Sequence, residues 1–97
     1  MIVKKISIKS NTGTVKAEGP SRFWAKDGRI LSDLKDLKVA LEEMANETYS
    51  FHVNKAKNDF AKWTEEVLQN KKLATELKKA KTKLEALKKV VAELKKS

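Results

Sequence analysis

Residues 70–97 read NKKLATELKKAKTKLEALKKVVAELKKS, and this stretch decides the architecture. It holds no glycine or proline, and most of its residues are strong helix formers. Asn70 is a natural N-cap. A helix over 71–96 would be about 37 Å long. Leu73, Leu77, Ala80, Leu84, Leu87, Val91 and Leu94 follow at alternating steps of four and three, which is a heptad seam. Such a seam either packs on its own domain or docks another helix. The flanking positions carry Lys81, Lys88 and Lys95 on one side and Glu76, Lys83 and Val90 on the other. In a parallel pair with a second copy Glu76 meets Lys81 favourably but Lys83 meets Lys88, and an antiparallel pair sets lysine against lysine, so self-pairing is poorly specified. An acidic partner helix suits the seam better, and the segment 33–43 is one candidate. Exposed flanking pairs contribute only about a few tenths of a kcal/mol each, so they bias the choice without deciding it.

The lysines of this stretch belong to a larger pattern. The chain carries 22 basic and 13 acidic residues, a net charge of +9, and only Arg22 and Arg29 are arginines. Residues 1–31 carry +5, residues 32–69 carry −3 and residues 70–97 carry +7. Lysine is a mobile point charge, whereas arginine reads base edges with a rigid fork. A lysine-dominated surface therefore suits phosphate contact more than base-specific reading. Ten lysines beside three glutamates in residues 70–97 also exceed what a mixed solubilising surface needs.

Working back toward the N-terminus, residues 58–68 predict a shorter helix. Asn58 or Asp59 caps it, and Phe60, Trp63 and Val67 form its apolar stripe beside Leu68. Residues 47–54 suggest a short helical turn. Leu34, Leu37, Leu41 and Met44 recur at helical spacing, with Ser32 as the expected cap and Asp33 and Asp36 in the first turn. Before them, Asp27-Gly28 is a tight-turn signal between the strand-like Arg22–Lys26 segment and Arg29-Ile30-Leu31. Residues 2–9 alternate as a half-buried strand, Asn11-Thr12-Gly13 is turn chemistry, and residues 14–18 can return as a second strand.

At 97 residues the chain is one domain or one small domain with an extension. It has no cysteine, which excludes disulfides, thiol catalysis and cysteine-ligated metal. No apolar run approaches a membrane span. The opening MIVKKISIKS lacks an apolar h-region, so no signal peptide is expected and the cytoplasm is the default location. His52 is the only histidine and has no carboxylate cluster to complete a zinc site. It is expected to hydrogen-bond a helix cap, with a His52–Asp59 dyad as the catalytic alternative. No glycine-rich phosphate loop is present. Phe23 and Trp24 lie between Arg22, Lys26 and Arg29, where an exposed ring would suit base stacking and a buried one the core.

One group of residues resembles a known family. Asp27-Gly28, Leu34 and Leu37, then His52-Val53-Asn54, Asn58-Asp59-Phe60-Ala61 with Trp63, and finally Val67 and Leu73-Ala74 are similar to a small-domain family found mainly in archaeal proteins and of uncharacterised function. The resemblance covers residues 23–78, and its HVN…NDFAxW portion is its most specific part. It implies a small helical domain without catalysis and carries over no active-site residues.

These observations predict an α+β chain. A small N-terminal antiparallel hairpin or sheet is followed by two or three short helices and a long basic C-terminal helix, with residues 1–69 as the domain and 70–97 as its extension. The expected function is non-enzymatic, sequence-tolerant binding of DNA or RNA, without cofactor or metal. Lys78, Lys79, Lys81, Lys88 and Lys89 are the first phosphate-contacting candidates, and Lys4, Lys5 and Arg22 form a second patch. The alternative is an interaction or self-assembly module docking through the seam, with an acidic partner helix or a second copy as its partner.

Overall fold

The structure, a computed structural model, describes residues 16–96. The strand at residues 2–9, the turn after it, and Lys4 and Lys5 lie outside them.

Alternation in Arg22–Lys26 produces the first hairpin. Strand β1 (Phe23–Trp24) pairs antiparallel with β2 (Ile30–Leu31), with Phe23 opposite Leu31 and Trp24 opposite Ile30. Gly28, at φ +98°, closes the turn. An L side chain is strained at that angle, which is why the Asp27-Gly28 signal is informative. Residues 16–18 form no strand, although the Ala17 N–H donates to the Ser32 carbonyl at 2.6 Å.

Helix α1 (Leu34–Glu43) buries Leu34, Leu37, Ala40 and Leu41 as its spacing predicts. Its cap is Asp33 rather than Ser32. The Asp33 carboxylate accepts from the Asp36 N–H, while the Asp36 carboxylate accepts from the Ser32 N–H. A carboxylate in this place also faces the positive end of the helix dipole.

Helix α2 (Asn46–His52) stops earlier than expected, because residues 53–58 form a second hairpin, with β3 (Val53–Asn54) paired to β4 (Lys57–Asn58). β-branched Val53 favours the extended backbone, and the Asn54 side chain accepts from the Ala56 N–H to shape the turn. Helix α3 (Asp59–Glu66) follows, with Asn58 as its cap: the Asn58 side chain accepts from the Ala61 N–H at 2.9 Å. Asn70 caps α4 (Lys71–Lys79) in the same way, accepting from Leu73.

The largest departure from expectation is at residues 80–82. Instead of one helix over 71–96 there are two, α4 and α5 (Lys83–Lys96). Ala80 is extended, with ψ 131°. Thr82 accepts from the Glu85 N–H at 3.1 Å through Oγ1, and the Glu85 carboxylate accepts from the Lys81 N–H at 2.7 Å. Thr82 thus caps the helix through its hydroxyl, while the Glu85 carboxylate reaches one residue beyond the N-cap to Lys81, and together they start a new helix where apolar spacing alone would continue the old one. The corner sends α5 back onto α1, while α4 packs on α3. Helix α5 therefore buries Ala86, Val90 and Glu93, not the heptad positions. Leu84 is 58% exposed, and Leu87, Val91 and Leu94 are half-buried.

A single core joins these parts. Phe60 stacks between Phe23, at 4.8 Å between ring centres, and Tyr49, at 5.9 Å. Around them lie the α1 leucines, Met44, Leu73, Leu77, Ala86 and Val90. The core thus draws on both sides of residue 69 and does not divide there. The acidic helix α1, one candidate partner for the seam-bearing segment, is where α5 packs within the same chain.

Candidate nucleic-acid interface

The second hairpin, α2, α3 and the α4–α5 corner enclose an open groove of about 1570 Å³. Lys55 and Lys57 come to it from the hairpin, Lys62 from α3, and Lys78, Lys81 and Lys83 from the corner. Its carboxylates are Asp59, Glu65 and Glu66. Lys57 pairs with Asp59 at 3.0 Å and Lys78 with Glu65 at 3.6 Å. Lys83 donates to the Met44 carbonyl at 2.6 Å, beside the C-terminus of α1, where the helix dipole favours a cation. Lys55, Lys62 and Lys81 have no carboxylate partner within 4.0 Å among the described residues.

The corner divides the lysines singled out from the sequence. Lys78 and Lys81 line the groove. Lys79 and Lys89 do not, and both turn to Glu76, at 3.8 and 3.1 Å. The hydrogen bond and charge of Lys89, with the charge of Lys79, hold the Glu76 carboxyl below its ordinary range. Glu76 thereby ties α4 to α5. Lys88 is exposed on α5 away from the groove, and Arg22 is exposed ahead of β1. Of the seam, Leu73, Leu77 and Ala80 are buried in the chain's own core.

Lys55, Lys62 and Lys83 were not singled out by the sequence. Lys55 and Lys62 sit in the segment whose net charge is negative, so composition hides them. Only the two-residue hairpin loop and the helix corner bring them to Lys78 and Lys81. The one local signal was Thr82-Lys83-Leu84-Glu85, the capping-box pattern that marks the corner.

His52 ends α2 and packs against Phe23 of the first hairpin and Phe60 of α3. It is 4% exposed. Its Nε2 accepts from the Lys26 N–H at 3.0 Å and its Nδ1 lies 3.0 Å from Asp59 Oδ2. An accepting Nε2 places the proton on Nδ1, which donates to Asp59. Both nitrogens are thus occupied, and neither faces a nucleophile. Burial raises the Asp59 carboxyl, but the hydrogen bonds from His52 and Lys57 and the charge of Lys57 outweigh it, leaving it below its ordinary value. Among the described residues, no three His, Cys, Asp or Glu groups gather as a metal site, and no helix is long and apolar enough to cross a membrane.

Comparison with known proteins finds no matching family model, no matching curated protein and no matching solved structure.

Proposed function

We propose that the protein binds nucleic acid with little sequence preference, through lysine contacts to phosphates in the groove. One observation carries this reading. Three ammonium groups without carboxylate partners among the described residues, Lys55, Lys62 and Lys81, line one groove from three separate elements. The groove's six lysines outnumber its three carboxylates, Asp59, Glu65 and Glu66, so it keeps a net positive charge beyond what its ion pairs neutralise. Lysine in place of arginine fits contact with the backbone of a polyanion rather than with base edges. The net charge of +9 adds long-range attraction to the same partner.

The alternative of helix docking has less to work with. Leu73, Leu77 and Ala80 are buried inside the chain, which leaves Leu84 and the half-buried Leu87, Val91 and Leu94 for a partner.

Fluorescence anisotropy with a labelled duplex and a labelled single strand, at about 50 and 200 mM salt, tests the proposal. Binding should weaken steeply with salt. Replacing Lys55, Lys62 and Lys81 together by Gln should lower the log–log salt slope by about two to three, at just under one for each lost phosphate contact. Absence of binding at the lower salt, or a triple variant that binds like the parent, would refute it.

A further inference from the structure

Trp24 is 60% exposed, although it stands in a strand whose neighbours Phe23 and Ala25 are buried. The alternation that buries those two turns Arg22, Trp24 and Lys26 outward along one edge, giving a basic, aromatic, basic order. Two strand residues advance the chain by about 6.6 Å, a step comparable with one extended nucleotide. Arg22 and Lys26 have no carboxylate partner within 4.0 Å among the described residues. The nearby Asp27 is already held by Arg29 at 3.0 Å. Beyond Lys26 the edge continues. The Lys26 ammonium lies 4.4 Å from the centre of the Phe51 ring, and the Lys57 ammonium lies 5.0 Å from the same ring. Phe51 is itself exposed, and Lys57 lines the groove described above. A line of alternating cations and exposed rings thus runs from Arg22 into the lysine groove.

We infer that Trp24, flanked by Arg22 and Lys26, is a stacking platform for unpaired nucleobases, with the Phe51 ring holding Lys26 and Lys57 in line toward the groove, so that the groove's nucleic acid is single-stranded. The inference rests on the nucleic-acid reading of the groove. An exposed indole gains from stacking on a base of any identity, and the flanking cations meet the phosphates on either side. A duplex offers no free base face, so the platform adds nothing to its binding. An apolar protein partner would need to cover Trp24 and Ile30 while desolvating Arg22 and Lys26, which have no carboxylate within 4.0 Å among the described residues to balance them.

The full chain is titrated with a thymidine 20-mer and, separately, with a 20-base-pair duplex at about 50 mM salt, following tryptophan emission and anisotropy. Trp63 is 7% exposed with its indole N–H bonded to the Ser21 carbonyl at 2.8 Å, so the responsive emission is that of Trp24. The single strand should quench that emission, and the duplex should not. Trp24→Ala should weaken single-strand binding about tenfold and leave duplex binding within about twofold, with Trp24→Phe restoring most of the loss. Trp24 is exposed, so both variants keep the fold, and their melting temperatures confirm it. Equal effects of Trp24→Ala on both nucleic acids, or none on either, would overturn the platform while the lysine groove stands. Binding of neither nucleic acid by the parent chain overturns both.

Discussion

The backbone N–H of Lys26 donates to Nε2 of His52 across 3.0 Å, joining the turn of the first hairpin to the end of α2. The bond spans 26 positions in sequence and selects the tautomer that reaches Asp59 at the start of α3. Three elements therefore meet on one imidazole, with Phe23, Phe51 and Phe60 packed against its ring.

His52→Leu keeps much of the volume but leaves the Lys26 N–H without its acceptor. Unfolding in urea should show a loss of about 1–2 kcal/mol, from a partly buried donor left without its acceptor together with the lost bond to Asp59. An unchanged midpoint would show that the imidazole contributes packing alone.

Asp59 gives the fold an acid sensitivity of known sign. Burial raises its carboxyl, but the hydrogen bonds from His52 and Lys57 and the charge of Lys57 outweigh that, so it titrates lower in the folded chain than in the unfolded one. The stability it contributes is complete above the unfolded carboxylate value, near 3.9. It is lost as pH falls through the folded value. Asp59→Asn should flatten this part of the stability curve below about pH 5, measured by urea unfolding across pH. A variant with the parent's acid limb would exclude Asp59 as its source.

Gln69 stands in the left-handed region at φ 59°, and its side chain is exposed. A residue with a Cβ is strained there and glycine is not. Gln69→Gly should raise stability by about 0.5–1 kcal/mol and lift the melting temperature by a few degrees. A lower melting temperature would mean that the Gln69 side chain makes a stabilising contact.

Thr82→Ala removes the side-chain cap of α5 and should cost about 1 kcal/mol. Glu85→Ala removes the carboxylate that accepts from the Lys81 N–H at the same corner, so the double variant should lose less than the sum of the two single losses. Strict additivity in thermal melts would show that the two bonds act independently.

Much of the fold could be read locally. Asn58 and Asn70 announce their helices because each side chain satisfies a backbone N–H three residues on, and Asp27-Gly28 marks a turn needing positive φ. Leu34, Leu37 and Leu41 found their buried face by spacing alone. The corner at Ala80–Thr82 was hidden because the apolar spacing runs through it without interruption. Leu77 and Leu84 are a heptad apart, yet one is in the core and the other in solvent. The weak local signal at Thr82 and Glu85 outweighed that period because tertiary packing on α1 rewards the turn. Lysine enrichment pointed to Lys78 and Lys81, but Lys55 and Lys62 join them only through the hairpin and α3. Trp24 and Phe23 were indistinguishable as types, and the phase of one short strand separated them.

The return of α5 onto α1 also orders events during synthesis. The Lys83 ammonium that meets the Met44 carbonyl is made 39 positions after it. Helix α1 therefore leaves the ribosome with one flank uncovered and must wait for α5 to be translated. Until then its leucines are available to chaperones or to neighbouring nascent chains. The flank of α1 that α5 covers is complete only once residues 83–96 have been made.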